Sequence, residues 1–157
     1  ITIPEPRTPS ANYVPFVQTG NLIFVSGQVS MSEDEGLIAG KVGGDLDVET
    51  GQRAARACGL NLLGQLKVAC GGDLDKVTRI VKLGGFVNAP PDFIGPPTVM
   101  NGASDLMVEI FGDAGRHARF AVATASLPQG AAVEVDGVFE VGGRVNTAPE
   151  PHLNLPS

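Results

Sequence analysis

The chain has 157 residues, 43% of them hydrophobic and 18% charged, a composition typical of one globular domain with room for a hydrophobic core. Its net charge of −6 and its few aromatic residues (5%, no Trp) argue against a nucleic-acid-binding surface, which needs basic and stacking side chains. Its apolar runs stay well short of the roughly 20 residues that cross a bilayer, so no membrane partner is predicted.

The cysteine content and the N-terminal sequence bear on the compartment. Cys58 and Cys70 are too few for a disulfide framework, so they favour a reducing, cytoplasmic setting in which both are small buried hydrophobic residues. The chain begins at Ile1, and its first residues lack the charged and apolar regions of a secretory signal. Three prolines without apolar periodicity predict an extended arm over 1–11, before a domain over 12–141.

The first half of this domain is predicted to contain a hairpin and a long helix. Two short β-type runs are separated by Thr19-Gly20-Asn21, which is a hairpin signal. Residues 22–25 are continuously apolar, as in a strand buried on both faces. Asp47 is the predicted N-cap of a helix over 48–70 that Gly71-Gly72 terminates. Its apolar stripe consists of Ala54, Cys58, Leu62, Leu66 and Ala69.

The second half is predicted to hold three strands and another helix. Residues 78–88 form a strand in which Gly84-Gly85 marks a bulge or a close approach. A helix over 97–111 follows, with Gly112 just after its end. Residues 115–141 then give two β-rich segments joined by a turn at 127–130, and an aperiodic tail occupies 142–157. The buried stripe of the second helix is predicted to be Val99, Ala103, Leu106 and Ile110.

The order of these elements predicts an α+β sandwich in which two helices cover one face of a mixed sheet. The strands over 22–25 and 133–141 are apolar enough to need cover on the other face as well. Another copy of the chain is the simplest cover. We therefore expect a homo-oligomer.

Few residues in the chain form a pattern that carries chemistry. His117 and His152 lie apart and form no metal-ligand cluster, and we expect His117 to be a surface-loop or capping residue. The glycine-rich residues 40–44 lack the spacing of a phosphate loop, and no nucleophile elbow is present. Arg119 and Glu134 remain, one on each β-rich segment. A strand pair that joined them could hold a small anion and a water, although each is also an ordinary solvated strand residue.

Three stretches of the chain together carry a resemblance. They are N-Y-V-P-F-V-Q-T-G-N-L-I-F-V-S-G-Q, the helix R-A-A-R-A-C-G-L-N-L-L with G-D-L-D-K-V-T-R-I-V-K-L, and H-A-R-F-A-V followed by L-P and V-E-V-D. Over residues 13–141 the chain resembles the Rid family (RidA/YjgF), which contains the enamine and imine deaminases. The resemblance implies a chorismate-mutase-like sandwich, assembled as a homotrimer with a central barrel and active sites between subunits. It also implies cofactor-free hydrolysis of 2-imino acids, such as 2-iminopropanoate and 2-iminobutanoate, to 2-keto acids and ammonia.

The resemblance also implies roles for single residues. Arg119, eight places before Leu127, matches the arginine that binds the substrate carboxylate, a task suited to a planar and permanently charged guanidinium. Glu134 matches the glutamate that positions the attacking water and can shuttle protons as ammonia leaves. The implied substrate-binding positions are Tyr13, Ser26, Gly27, Asn101 and Ala121.

Ala121 is the main departure from the family pattern. The archetype has a cysteine two places after the arginine, and this chain has alanine there. The backbone N–H of Ala121 can still meet a carboxylate, but the pocket is reshaped. A non-catalytic metabolite-binding or regulatory trimer therefore stays open as the alternative. Ribonuclease activity is less favoured because the chain is acidic, and chorismate mutase activity would be an analogy of fold alone.

Overall fold

The predicted α+β class, with a mixed sheet and two helices, is confirmed by the structure, a computed structural model that describes residues 1–8 and 11–142. The predicted C-terminal tail, apart from Gly142, lies outside the described residues. The elements are β1 (Phe16–Thr19), β2 (Leu22–Val29), β3 (Met31–Ser32), β4 (Gly36–Leu37), α1 (Val48–Ala69), β5 (Val77–Asn88), α2 (Pro96–Phe111), β6 (Ala118–Thr124) and β7 (Val133–Val141).

The main sheet has five strands in the order β1-β2-β7-β5-β6. The predicted hairpin is confirmed as the antiparallel β1–β2 pair, with Gly20 in the left-handed region at φ 56°. The prediction that one strand pair carries both Arg119 and Glu134 is wrong, because β6 and β7 both border β5 and do not pair with each other. The β5–β6 pair is parallel and uses α2 as its crossover, which leaves only the other side of β5 for β7.

Helix α1 begins where the sequence predicted, because the Asp47 side chain accepts a hydrogen bond from the Thr50 backbone N–H at 2.8 Å. Both cysteines are buried, as expected. Burial raises the pKa of the Cys58 thiol, which lies 3.3 Å from the Val133 carbonyl oxygen and acts as a packed core group. Two stripe predictions need correction: Ala69 and Ile110 sit at the last turns of their helices and are only half-buried.

Helices α1 and α2 touch at Gly102, where a Cβ atom would overlap the Gln52 carbonyl oxygen. Alanine is the better helix former by about 0.5–1 kcal/mol, but a clash with backbone cannot be relieved by a rotamer change. We expect Gly102→Ala to lower the free energy of unfolding by about 1–3 kcal/mol in urea titrations. Asp105→Ala, at an exposed position of the same helix, should change it by less than about 0.5 kcal/mol. Equal effects would contradict this packing.

The sheet face opposite the helices is apolar and exposed. The prediction that the strand over 22–25 is buried on both faces is wrong within one protomer: Ile23 and Val25 are buried under the helices, whereas Phe24 is 44% exposed. Phe86 and Phe120 meet on this open face with their ring centroids 5.4 Å apart. Together with Val17 and Val122, these side chains form an uncovered hydrophobic patch of the kind that marks an interaction surface.

Candidate functional site

Arg119 lies on the edge strand β6, and its side chain is held against α2. Its Nη1 donates to Asn101 Oδ1 at 3.0 Å and to Ser104 Oγ at 3.1 Å, and its Nη2 donates to the Pro97 carbonyl oxygen at 3.0 Å. A guanidinium has five N–H groups. Among the contacts of the described residues, Nε–H and one Nη2–H remain for a ligand. These three contacts fix the guanidinium against α2 before any ligand binds, and one of them is to Asn101, the residue predicted at the pocket rim.

Two further residues belong to this cluster and were missed from the sequence. Ser104 Oγ lies 2.9 Å from His117 Nε2, and His117 Nδ1 lies 2.6 Å from the Gly115 carbonyl oxygen. His117 lies in the loop before β6, where it is half-buried, and its bond to Gly115 is a local capping contact of the kind that was predicted. The available signal was spacing: Ser104 follows Asn101 by about one helical turn, and His117 precedes Arg119 by two residues, at the start of β6. We call Asn101, Ser104, His117 and Arg119 the arginine cluster.

Ala121 lies one pleat beyond Arg119 on the same face of β6, paired with Gly85 of β5. It is half-buried against the core. A Cβ atom on Gly85 would overlap the Met100 side chain. The close approach predicted at the adjacent Gly84 and Gly85 is therefore confirmed. Ala121 therefore contributes only a methyl group at this point of β6, beside a strand position that Met100 packs against closely.

Glu134 lies on β7, the central strand of the sheet, beside a bulge in β2. The register of the β2–β7 pair shifts between Val25 and Gln28, and Glu134 pairs with Val29 just beyond this shift. A Cβ on Gly27 would lie 2.9 Å from Glu134 Oε1, so the glycine makes room for the carboxylate. The bulge thus explains why the polar Ser-Gly-Gln sequence interrupts an apolar strand.

The Glu134 carboxylate lines a cleft of about 360 Å³ at the β2 edge, which we call the glutamate cleft. Tyr13 and Gly27 line the same cleft, and Arg7 of the N-terminal arm adds a positive charge. Ser26 instead fastens the segment before β1: its Oγ donates to the Val14 carbonyl oxygen at 2.7 Å. Ser26 therefore positions the segment that carries Tyr13.

The protonation of Glu134 is shifted by its surroundings. Burial raises the pKa of Glu134, and the neighbouring Asp136 carboxylate raises it further. Because the folded pKa is raised, ionisation opposes folding: the favourable contribution of the neutral acid is complete below the unfolded pKa and is lost as the pH rises through the folded pKa. A carboxyl group shifted toward neutral pH is suited to both accepting and donating a proton.

One protomer does not bring Arg119 and Glu134 together. Strand β5 separates their strands, which alone places the two backbones about 10 Å apart. Alternation along β6 and β7 also directs them to opposite faces: Arg119 contacts α2, whereas Glu134 pairs with the exposed Phe86. The arginine cluster lies at one edge of the sheet, and the glutamate cleft extends from β7 past β2 toward the other edge.

Over residues 1–8 and 11–142, no group of three or more His, Cys, Asp or Glu side chains is arranged to hold a metal ion. No helix within those ranges combines the length and apolar character needed to cross a membrane.

Comparison with known proteins gives a consistent family assignment. The family described as "YjgF/chorismate_mutase-like, putative endoribonuclease" matches residues 1–139. The chain is 48% identical to "Protein TCP17" of Trypanosoma cruzi over 142 residues, which cover 90% of this chain and 88% of that protein. It is 47% identical to the protein Atu1372 of Agrobacterium tumefaciens, whose structure is described as having unknown function; the TM-score is 0.85 and the match covers 90% and 87% of the two chains.

A second solved structure is similar over almost its whole length. It is a "putative endoribonuclease" from Shewanella oneidensis, 35% identical, with a TM-score of 0.85 and coverage of 90% of this chain and 93% of that one. The resemblance drawn from the sequence motifs is therefore confirmed at the level of family and fold.

Proposed function

The chain belongs to the YjgF/chorismate-mutase-like family, and from this premise we propose that it is a cofactor-free deaminase that hydrolyses 2-imino acids to 2-keto acids and ammonia. The substrates we propose are of the 2-iminopropanoate and 2-iminobutanoate type. The observation that carries this proposal is the arginine cluster, in which three contacts to α2 fix the Arg119 guanidinium and leave N–H groups for a carboxylate. A clamp fixed in advance lowers the entropic cost of orienting the substrate.

Glu134 supplies the proton transfers that imine hydrolysis needs. A water oxygen adds to C2 of the protonated imine while Glu134 accepts the water proton, which gives the neutral carbinolamine. Glu134 then returns this proton to the nitrogen, the C2–N bond breaks and ammonia leaves, and the hydroxyl proton passes to solvent as the keto C=O forms. A carboxyl group with a raised pKa can serve as base in the first half and as acid in the second.

The site is proposed to form between protomers. Since the arginine cluster and the glutamate cleft are presented at different edges and faces of the sheet, a head-to-tail contact would bring the cluster of one protomer to the cleft of the next. The exposed apolar face, with Phe24, Phe86 and Phe120, would be covered in the same closed ring. This arrangement is the proposed homotrimer with a central barrel.

Because the imine substrate is unstable, the activity test generates it within the assay mixture. L-Alanine or L-2-aminobutanoate is oxidised by an amino-acid oxidase, and semicarbazide captures the imine that remains. The proposal predicts that the purified protein speeds release of pyruvate or 2-oxobutanoate and lowers semicarbazone formation. Equal semicarbazone yields with and without the protein would contradict it.

The raised pKa of Glu134 gives a prediction about pH. Asp136→Asn removes one of the two effects that raise this pKa, so the Glu134 carboxyl should titrate at a lower pH. We expect the acid limb of the kcat profile to move to lower pH, together with the Glu134 carboxyl shift in NMR titrations. Glu140→Gln, an exposed change further along β7, should leave both unchanged. An acid limb that stays in place in Asp136→Asn would rule out Glu134 as the group that titrates.

Ala121 favours a second candidate function. The thiol of the family archetype is absent here, and a smaller side chain suits binding without turnover of the same substrate. The second candidate is a metabolite-binding or regulatory trimer that takes 2-keto acids. Calorimetry that shows 2-oxobutanoate binding to a protein without deaminase activity would favour it.

Ribonuclease activity is the reaction named in the family description and for the Shewanella relative. For this chain the net charge of −6 opposes it, because RNA backbone binding is driven by basic side chains and counterion release. We expect no RNA binding at low salt.

A further inference from the structure

We propose that His117 is a positioning residue that holds Arg119 in its substrate-binding orientation through Ser104. This inference rests on the proposed function of Arg119 as a carboxylate clamp. It goes further by assigning a role to an imidazole that contacts neither substrate nor reacting atoms.

The hydrogen bonds themselves determine the protonation state of the ring. The Gly115 carbonyl oxygen, 2.6 Å from His117 Nδ1, can only accept, so Nδ1 carries the proton. In the neutral ring Nε2 is then an acceptor, and the Ser104 hydroxyl 2.9 Å away donates to it. With its proton committed to His117, the Ser104 oxygen presents its lone pairs to the Arg119 Nη1–H at 3.1 Å.

Three consecutive bonds therefore have one consistent direction, from the guanidinium to Ser104, from Ser104 to His117, and from His117 to the backbone. Such a chain of bonds restricts each member more than a single contact would. If Ser104 lacked an acceptor for its proton, its hydroxyl could rotate and direct that proton at the guanidinium. His117 thus prevents the one orientation of Ser104 that would repel Arg119.

The surroundings keep the ring neutral. Burial lowers the pKa of His117, and the positive charges of Arg119 on β6 and Arg79 on β5 lower it further, against the opposing effect of the bond to Gly115. Helix α2 meets the ring with the uncharged Ser104. The acceptor at Nε2 is therefore preserved at neutral pH.

The test uses amide substitutions that separate the two ring nitrogens. His117→Gln keeps a polar atom near the position of Nε2, whereas His117→Asn keeps one only near Nδ1. For His117→Asn and Ser104→Ala we expect KM for the imine and Kd for 2-oxobutanoate to rise about 5- to 10-fold, with kcat changed less than about 2-fold. His117→Gln should keep most of the wild-type affinity for the imine and for 2-oxobutanoate. Arg116→Ala, a change at an exposed neighbouring residue, should leave KM and Kd at their wild-type values.

A spectroscopic readout separates this inference from the proposed activity. In wild type, ¹⁵N NMR should show the Nδ1–H tautomer of His117 and a well-ordered Arg119 Nε–H group, and the latter should become mobile in His117→Asn and Ser104→Ala. If no imine is hydrolysed, the proposed function fails and these spectra still decide the role of His117. The Nε2–H tautomer, or equal Arg119 order in wild type and His117→Asn, would overturn the inference.

Discussion

Arg119→Ala is expected to lower kcat/KM for imine hydrolysis by about 10²- to 10³-fold, because two charge-assisted hydrogen bonds to the substrate carboxylate are lost. Arg119→Lys keeps the charge but not the planar pair of donors, and it cannot engage Asn101, Ser104 and Pro97 together. We expect it to recover only about 10-fold of the loss. Steady-state measurement of keto-acid release checks both values.

The matched control for Arg119 is Arg116, three residues earlier. Its guanidinium lies 3.5 Å from Asp113 in an exposed pair, which contributes little to stability or binding. Arg116→Ala removes the same charge from the same segment and should leave kcat/KM within about 2-fold of wild type. Equal losses in the two variants would show that Arg119 acts through net charge and not as a clamp.

Glu134→Gln is expected to lower kcat by about 10²- to 10³-fold, the usual contribution of a positioned acid or base. It should also make the protein slightly more stable at pH 7–8. The raised pKa of Glu134 means that the ionised carboxylate opposes folding above that pKa, and glutamine removes this cost with little change of shape. Activity assays and urea titrations at pH 4 and pH 8 check both effects, and the stability difference should shrink at pH 4.

Glu140→Gln is the control for this variant, since Glu140 lies on the same face of β7, is exposed, and accepts a hydrogen bond from Thr78 Oγ1 at 2.7 Å. It should leave kcat within about 2-fold of wild type. Loss of activity in Glu134→Gln together with loss of stability at pH 8 would indicate a structural role for Glu134. Unchanged kcat would remove it from the mechanism.

Local sequence signals predicted most of the elements. The Asp47 cap and the four- and three-residue spacing gave α1 to within one residue at its C-terminal end, because both signals act within a single helix. The hairpin at Gly20 follows from the left-handed conformation that glycine favours. The pairing of β6 with β5 was not predictable from such signals, since it depends on a crossover through α2.

Only part of the candidate site could be predicted from the sequence, because the rest also depends on contacts between distant segments. Motif resemblance placed Arg119 and Glu134, but only the sheet order shows that β5 separates them and that they face opposite sides. Ser104 and His117 come together only because α2 packs beside β6, a contact that no local sequence pattern encodes. Contacts between distant segments, and between protomers, leave no local pattern in a single sequence.

The most direct test of a site shared between protomers is complementation of two inactive variants. Arg119→Ala and Glu134→Gln are each purified alone and also co-expressed from one cell, so that mixed oligomers form. Each mixed trimer has one contact in three that joins an intact Arg119 cluster to an intact Glu134 cleft, and with random assembly about one quarter of all contacts are of this kind. We predict that the mixture recovers about one quarter of wild-type kcat per chain. A mixture no more active than the separate variants would contradict the shared site.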